Sequence, residues 1–146
     1  MADFQFGLQK VLDVREIEKD KAESKFLKAW KKKKEIENTL NEMNKKQKNL
    51  YRLIRNKENM DLEETLWARN YLHQRREQIN EIEEKLEEQK KELQRREKKL
   101  LEKKKKKEVL EKLKEKEYNQ FYNEFLHRQQ KEIDEIGQQL ISRQEE

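Results

Sequence analysis

Between residues 8 and 54, side chains at alternating steps of four and three trace one stripe. They are Leu8, Leu12, Arg15, Lys19, Ala22, Phe26, Ala29, Lys33, Ile36, Leu40, Met43, Gln47, Leu50 and Ile54, and ten of the fourteen are apolar. A mean spacing of about 3.5 residues keeps such a stripe on one side of an α-helix, facing a partner helix. Val11, Leu27, Trp30 and Leu53 are expected to widen it locally. A second seam follows the same rule. Leu72, Ile79, Leu86, Leu93 and Leu100 recur every seven residues, with Ile82 between two of them. Its alternate positions, Arg75, Gln89 and Arg96, are polar, so a long isolated helix of this kind is marginal. Leu110, Leu113 and Phe121 continue the seam after a lysine-rich gap, and Ile133, Ile136 and Leu140 give a last apolar face.

Composition removes the alternatives to paired helices. Charged residues are 47% of the 146, apolar residues 32%, and there is no proline, no cysteine and only two glycines, Gly7 and Gly137. That apolar fraction cannot both fill a compact interior and cover it. Sheet hairpins need turn residues that are nearly absent here. Disordered chains of comparable charge carry Pro, Gly and Ser and lack this periodicity. No apolar run reaches the roughly 18–20 residues of a membrane span, and Met1 to Phe6 does not read as a signal peptide, so a cytoplasmic location is expected. The net charge of +5 is uneven: +6 over 1–60, −1 over 61–100, +3 over 101–118 and −3 over 119–146.

Between the seams lies Asn56-Lys57-Glu58-Asn59-Met60-Asp61, whose Asn and Asp residues suit a turn. Asp61 with Glu64 reads as a helix N-cap with its capping-box partner. The expected fold is all-α: a long two-helix antiparallel coiled-coil hairpin with a C-terminal helical overhang. Helix one is expected at about 7–55, the turn at about 56–61 and helix two at about 62–141, in a single domain 1–146. One unbroken rod of about 130 residues in a parallel dimer is the alternative. With the turn centred near residue 58, residue i faces about residue 116 − i. Leu8 then lies near residue 108, and Phe4 and Phe6 near Leu110 and Lys112. Residues beyond about 116 overhang.

The overhang opens with Tyr118, Phe121, Tyr122, Phe125 and Leu126, the densest aromatic cluster in the chain. An exposed aromatic stripe on a helix marks a partner surface; the alternative is that the N-terminal arm folds over it. Phe4 and Phe6 suit an end plug for the hairpin. At the turn end, Tyr51, Leu62, Leu66, Trp67 and Tyr71 crowd a narrow tip, some to pack it and some to stay exposed.

The chemistry of catalysis is missing. His73 and His127 stand alone, without metal-ligand spacing, and no glycine-rich phosphate loop exists. A two-helix rod supplies no concave pocket. No enzyme activity, cofactor, metal or small-molecule substrate is expected. Lys31 to Lys34 and Lys103 to Lys107 read as solvated faces balanced by nearby glutamates, and with no reading element beside them a nucleic-acid partner is not expected.

The opening Phe4-Gln5-Phe6-Gly7-Leu8-Gln9-Lys10-Val11-Leu12-Asp13-Val14-Arg15-Glu16 resembles the start of the flagellar export protein family FliJ, whose members begin with an F-x-F-x-L-Q-K-V/L-L-x-x-R/K-E type of pattern. The basic-acidic stretch from Leu110 to Glu117 before Tyr118, and the acidic stretch Lys131 to Ile136, are similar to that family's layout. The resemblance implies an antiparallel coiled coil acting as the stalk of the flagellar type III export ATPase, FliI. It also implies contact with the export gate protein FlhA and with export chaperones. By that analogy Phe4, Phe6, Leu8, Leu12 and Arg15 would meet the ATPase. Tyr51, Leu62, Leu66 and His73 would meet the gate, although Arg69 stands where a small residue is expected on that face. Tyr118, Phe121, Tyr122 and Phe125 would suit the ring or a chaperone. The protein would sit at the inner face of the cell membrane through its partners. A structural coiled-coil tether, or the equivalent stalk of a virulence secretion system, are the other readings.

Overall fold

The computed structural model describes residues 3–145. Two α-helices hold nearly all of them: α1, Gln9–Asn56, and α2, Leu62–Glu145. No strand occurs among the described residues. The two helices pack antiparallel, as an all-α hairpin. Buried glutamines show the direction: Gln47 near the end of α1 reaches the Leu72 carbonyl near the start of α2, and Gln89 further along α2 donates to the Ala29 carbonyl.

The helix ends follow from local chemistry. Arg55 in the last turn of α1 complements the negative end of the helix dipole. Five residues, Lys57 to Asp61, make the connection, and no described residue has a positive φ. The turn therefore needs neither glycine nor proline. Asp61 caps α2: its Oδ1 accepts from the Glu64 backbone N–H at 2.7 Å, and its carbonyl accepts from the Thr65 N–H and hydroxyl. The capping box is only half used. The Glu64 carboxylate accepts from Lys57 Nζ at 3.1 Å and so braces the turn.

The stripe of α1 is the seam. Of its fourteen positions only Leu8 is exposed; the others are buried or half-buried. On α2, Ile79, Leu86 and Leu100 are buried and Leu72, Ile82 and Leu93 half-buried. Arg75 and Arg96 are half-buried, and their Nε atoms donate to the Tyr71 hydroxyl and the Glu92 carboxylate. Val11, Leu27, Trp30 and Leu53 do not widen the stripe. All four are exposed, because a two-helix interface covers only a narrow arc of each helix.

The packing gathers into two compact units, one of residues 20–101, the other of the described residues up to 19 together with those from 102 onward. In the first unit the glutamine contacts set residue i of α1 opposite about residue 118 − i of α2. The offset from 116 − i has a simple cause: the connection centres on residue 59 rather than 58.

In the terminal unit, Lys103 reaches Glu18, Lys107 reaches Glu16 and Lys114 donates to Gln9 Oε1 at 2.7 Å. These partners lie further along α2 than backbone register alone predicts. Side chains on both helices lean toward their own N-termini, so long side chains meet across an antiparallel pair from residues displaced toward the C-termini. Phe4 follows the same displaced register: it meets Tyr118 and Phe121, not Leu110 or Lys112. The overhang therefore begins past Phe121.

Candidate interaction surfaces

Among the described residues no group of three His, Cys, Asp or Glu side chains could hold a metal ion, and no helix is long and apolar enough to cross a membrane. The candidate functional residues are surfaces at the turn end, at the paired termini and along the end of α2.

The turn end carries large exposed apolar groups. Among them Ala68 is buried. Around it, Leu50, Leu53, Ile54, Met60, Trp67 and Tyr71 line an open groove of about 550 Å³. Trp67, 66% exposed, stacks on Tyr71 with ring centroids 5.4 Å apart and planes 14° from parallel. The Arg75 guanidinium sits 5.4 Å above the Tyr71 ring, and its Nε donates to the Tyr71 hydroxyl at 3.2 Å. Residues 67, 71 and 75 thus form a ladder at steps of four.

The four residues matched to a gate surface lie outside this groove. Leu62, Leu66 and His73 share another flank of α2 at helical spacing and are exposed, Leu62 to 76%. Tyr51 is exposed on α1. His73 Nε2 lies 3.1 Å from a Glu77 carboxylate oxygen. The sequence marks Trp67 and Tyr71 at this tip but not the groove, because Leu53 reads there as a widening of the stripe. Its true signal was its phase, one step away from Ile54.

At the paired termini the structure places Phe6 and Leu12 in the core, Phe4 and Arg15 half-buried, and Leu8 exposed. The arm is pinned by packing. Phe4 meets Tyr118 edge-on at 5.4 Å and Phe121 at 5.6 Å, and Tyr118 stacks on Tyr122 at 6.4 Å. The arm therefore folds over the inner edge of the aromatic cluster. The outer faces of Tyr118 and Tyr122 stay open, and Phe125 is half-buried. Val11, Val14 and Ile17 are also exposed beside this joint. The stripe rule passed over Val14 and Ile17, whose phase puts them outside the seam.

The charges around this joint are paired. Glu18 Oε2 lies 3.1 Å from Arg15 and 3.5 Å from Lys103. The hydrogen bond from Arg15, aided by Lys103, holds the Glu18 carboxyl below its ordinary range. Lys107 lies 3.8 Å from Glu16 and 3.3 Å from Glu111. Two members of the 103–107 lysine run thus serve the pairing of the helices. On α1, burial works to raise the Glu37 carboxyl, but Lys33 and Lys34 together outweigh it and hold the group low.

No curated protein and no solved structure matches this chain. A family model does: the one described as Flagellar FliJ protein, over residues 4–146. That match spans nearly the whole hairpin, including the Phe4 arm, both seams and the end of α2. The chain belongs to the flagellar FliJ protein family, and so to the components of the flagellar protein export apparatus.

Proposed function

We propose that this chain is the cytoplasmic coiled-coil stalk that binds and activates the flagellar export ATPase FliI and links it to the export gate FlhA and to export chaperones. The observation that carries the reading is the joint at the termini. The Phe4 arm, the N-terminal part of α1 and α2 near Tyr118 are held as one packed end, with Leu8, Val11, Val14 and Ile17 exposed around it. Such an end suits insertion into a ring. Phe4, Phe6, Leu12 and Arg15 act by holding its shape, and Leu8 and its exposed neighbours make the contact. Tyr51, Leu62, Leu66 and His73 would engage the gate, and the outer faces of Tyr118, Tyr122 and Phe125 a chaperone or the ring. A paired-helix stalk needs no pocket to pass position between partners, which fits a structural and escort role. Through these partners the protein would sit peripherally at the cell membrane.

The test is ATP hydrolysis by purified FliI with and without this chain. Stimulation and co-elution are expected. Leu8→Glu should reduce both, whereas Leu66→Ala should leave them intact and weaken capture of FlhA. No stimulation together with no co-elution overturns the reading.

A further inference from the structure

Past Phe121 the seam of α2 changes phase. Tyr122, Leu126, Gln129, Ile133, Ile136 and Leu140 follow one another at steps of four and three, a heptad frame one to two residues out of register with the seam that pairs with α1. Its five apolar members are all exposed, Ile133 to 62%. The margins of the frame are nearly free of charge: Asn123, Gln130 and Gly137 on one side, Phe125, Glu132 and Gln139 on the other. In a chain where almost every second residue is charged, one carboxylate on this whole face is a departure. Arg128, Lys131, Asp134 and Glu135 fall outside it.

Gly137 adds an independent sign. A glycine inside a helix costs about 1 kcal/mol relative to alanine. Here the backbone has no positive φ, and a Cβ at this position would meet nothing within 4 Å. The monomer has no use for it. It lies beside Ile133, Ile136 and Leu140 at the edge of the frame, where a missing side chain admits another helix.

We propose that the C-terminal part of α2 pairs antiparallel with the same segment of a second copy, through Tyr122, Leu126, Ile133, Ile136 and Leu140. The frame reads four, three, four, three, four in either direction about residue 131. An antiparallel pair therefore layers Tyr122 against Leu140, Leu126 against Ile136 and Gln129 against Ile133. It also sets Glu132, Asp134 and Glu135 opposite the stretch 127–130, which carries Arg128 and no acid, with Lys131 on the axis of the pair. A parallel pair would oppose acid to acid. The area covered is roughly 1,000 Å² over both copies, at the small end for specific interfaces, so the dimer is weak, with a Kd on the order of tens of micromolar. This pairing stands apart from the stalk reading, because it needs no partner protein.

Sedimentation equilibrium of the full chain from about 5 to 500 μM tests it. A reversible monomer–dimer equilibrium is expected. Ile136→Glu, on an exposed position that the hairpin does not use, should raise Kd more than tenfold, and Gly137→Leu should weaken the dimer while adding helix propensity. Lys131→Gln, on the outer face, should leave it within about twofold. Spin labels on single cysteines fix direction, since the chain has none of its own. An antiparallel pair gives a short intermolecular distance at residue 130 and about 36 Å at residue 143. A monomer throughout, a dimer indifferent to Ile136→Glu or to Gly137→Leu, or short distances at both labels overturns the proposal.

Discussion

Two glutamines sit in the seam with different hydrogen bonding, and replacing each by leucine should separate them. Gln47 is buried, its Nε2 reaches the Leu72 carbonyl only at 3.5 Å, and its Oε1 is buried without a hydrogen-bond partner. A buried acceptor left unsatisfied costs about 1–3 kcal/mol. Leucine at 47 removes that oxygen, keeps a similar volume and completes the apolar stripe. Little is lost, because the Leu72 carbonyl already accepts within α2. The expected gain is about 1–2 kcal/mol, or a rise of roughly 3–6 °C in Tm for a chain of this size. Gln89 is different: its Nε2 bonds the Ala29 carbonyl at 3.0 Å. Leucine there trades a sound bond, about 1 kcal/mol, for a similar gain in apolar burial, so the change should lie within about 0.5 kcal/mol of zero. Urea unfolding followed by helical circular dichroism reads both. Equal shifts for the two variants, or a loss of stability in Gln47→Leu, would refute the reasoning.

Other perturbations follow from the same geometry. Ile79, 1% exposed, is the most buried large side chain, and Ile79→Ala should cost about 2–4 kcal/mol in urea unfolding, whereas Ile133→Ala should stay within about 0.5 kcal/mol. Asp61→Ala should lose about 1 kcal/mol by removing the cap of α2, and Asp61→Asn should retain most of it in the same assay. The Glu18 carboxyl, held low by Arg15 and Lys103, should titrate below its ordinary 4.5 in a carbon-detected NMR titration, and Arg15→Gln should move it back up. Because the folded-state value is the lower one, the stability it lends is fully present above about pH 4.5 and fades as pH falls through the folded value.

The alternation of four and three was sufficient to place both helices, because it records which arc of each faces the other. The turn was legible too, since Asp61 with Glu64 and Thr65 is a local signal that needs no tertiary help. Register was not. A one-residue difference in the centre of the connection moves every opposed pair by two, and no residue in 57–61 marks that centre. Phe4 was misplaced by the same offset, which the lean of the side chains toward their own N-termini enlarges. Leu53 and Trp30 were misread because apolar character alone does not give phase. The seam buries a narrow arc, and a large apolar group beside it is left for solvent or a partner. The aromatic cluster divided for the same reason: Phe121 lies within reach of the arm, and Tyr122 turns its outer face away from it.

Every surface described above depends on one chain folding back between Asn56 and Leu62. Spin labels on cysteines placed at Lys28 and Glu88, beside the Ala29–Gln89 contact, test this directly. In the hairpin the labels lie within about 20 Å, and the short distance persists when labelled chains are diluted into an excess of unlabelled ones. In a parallel dimer of unbroken helices the two sites on one chain lie about 90 Å apart, and dilution would abolish every short distance.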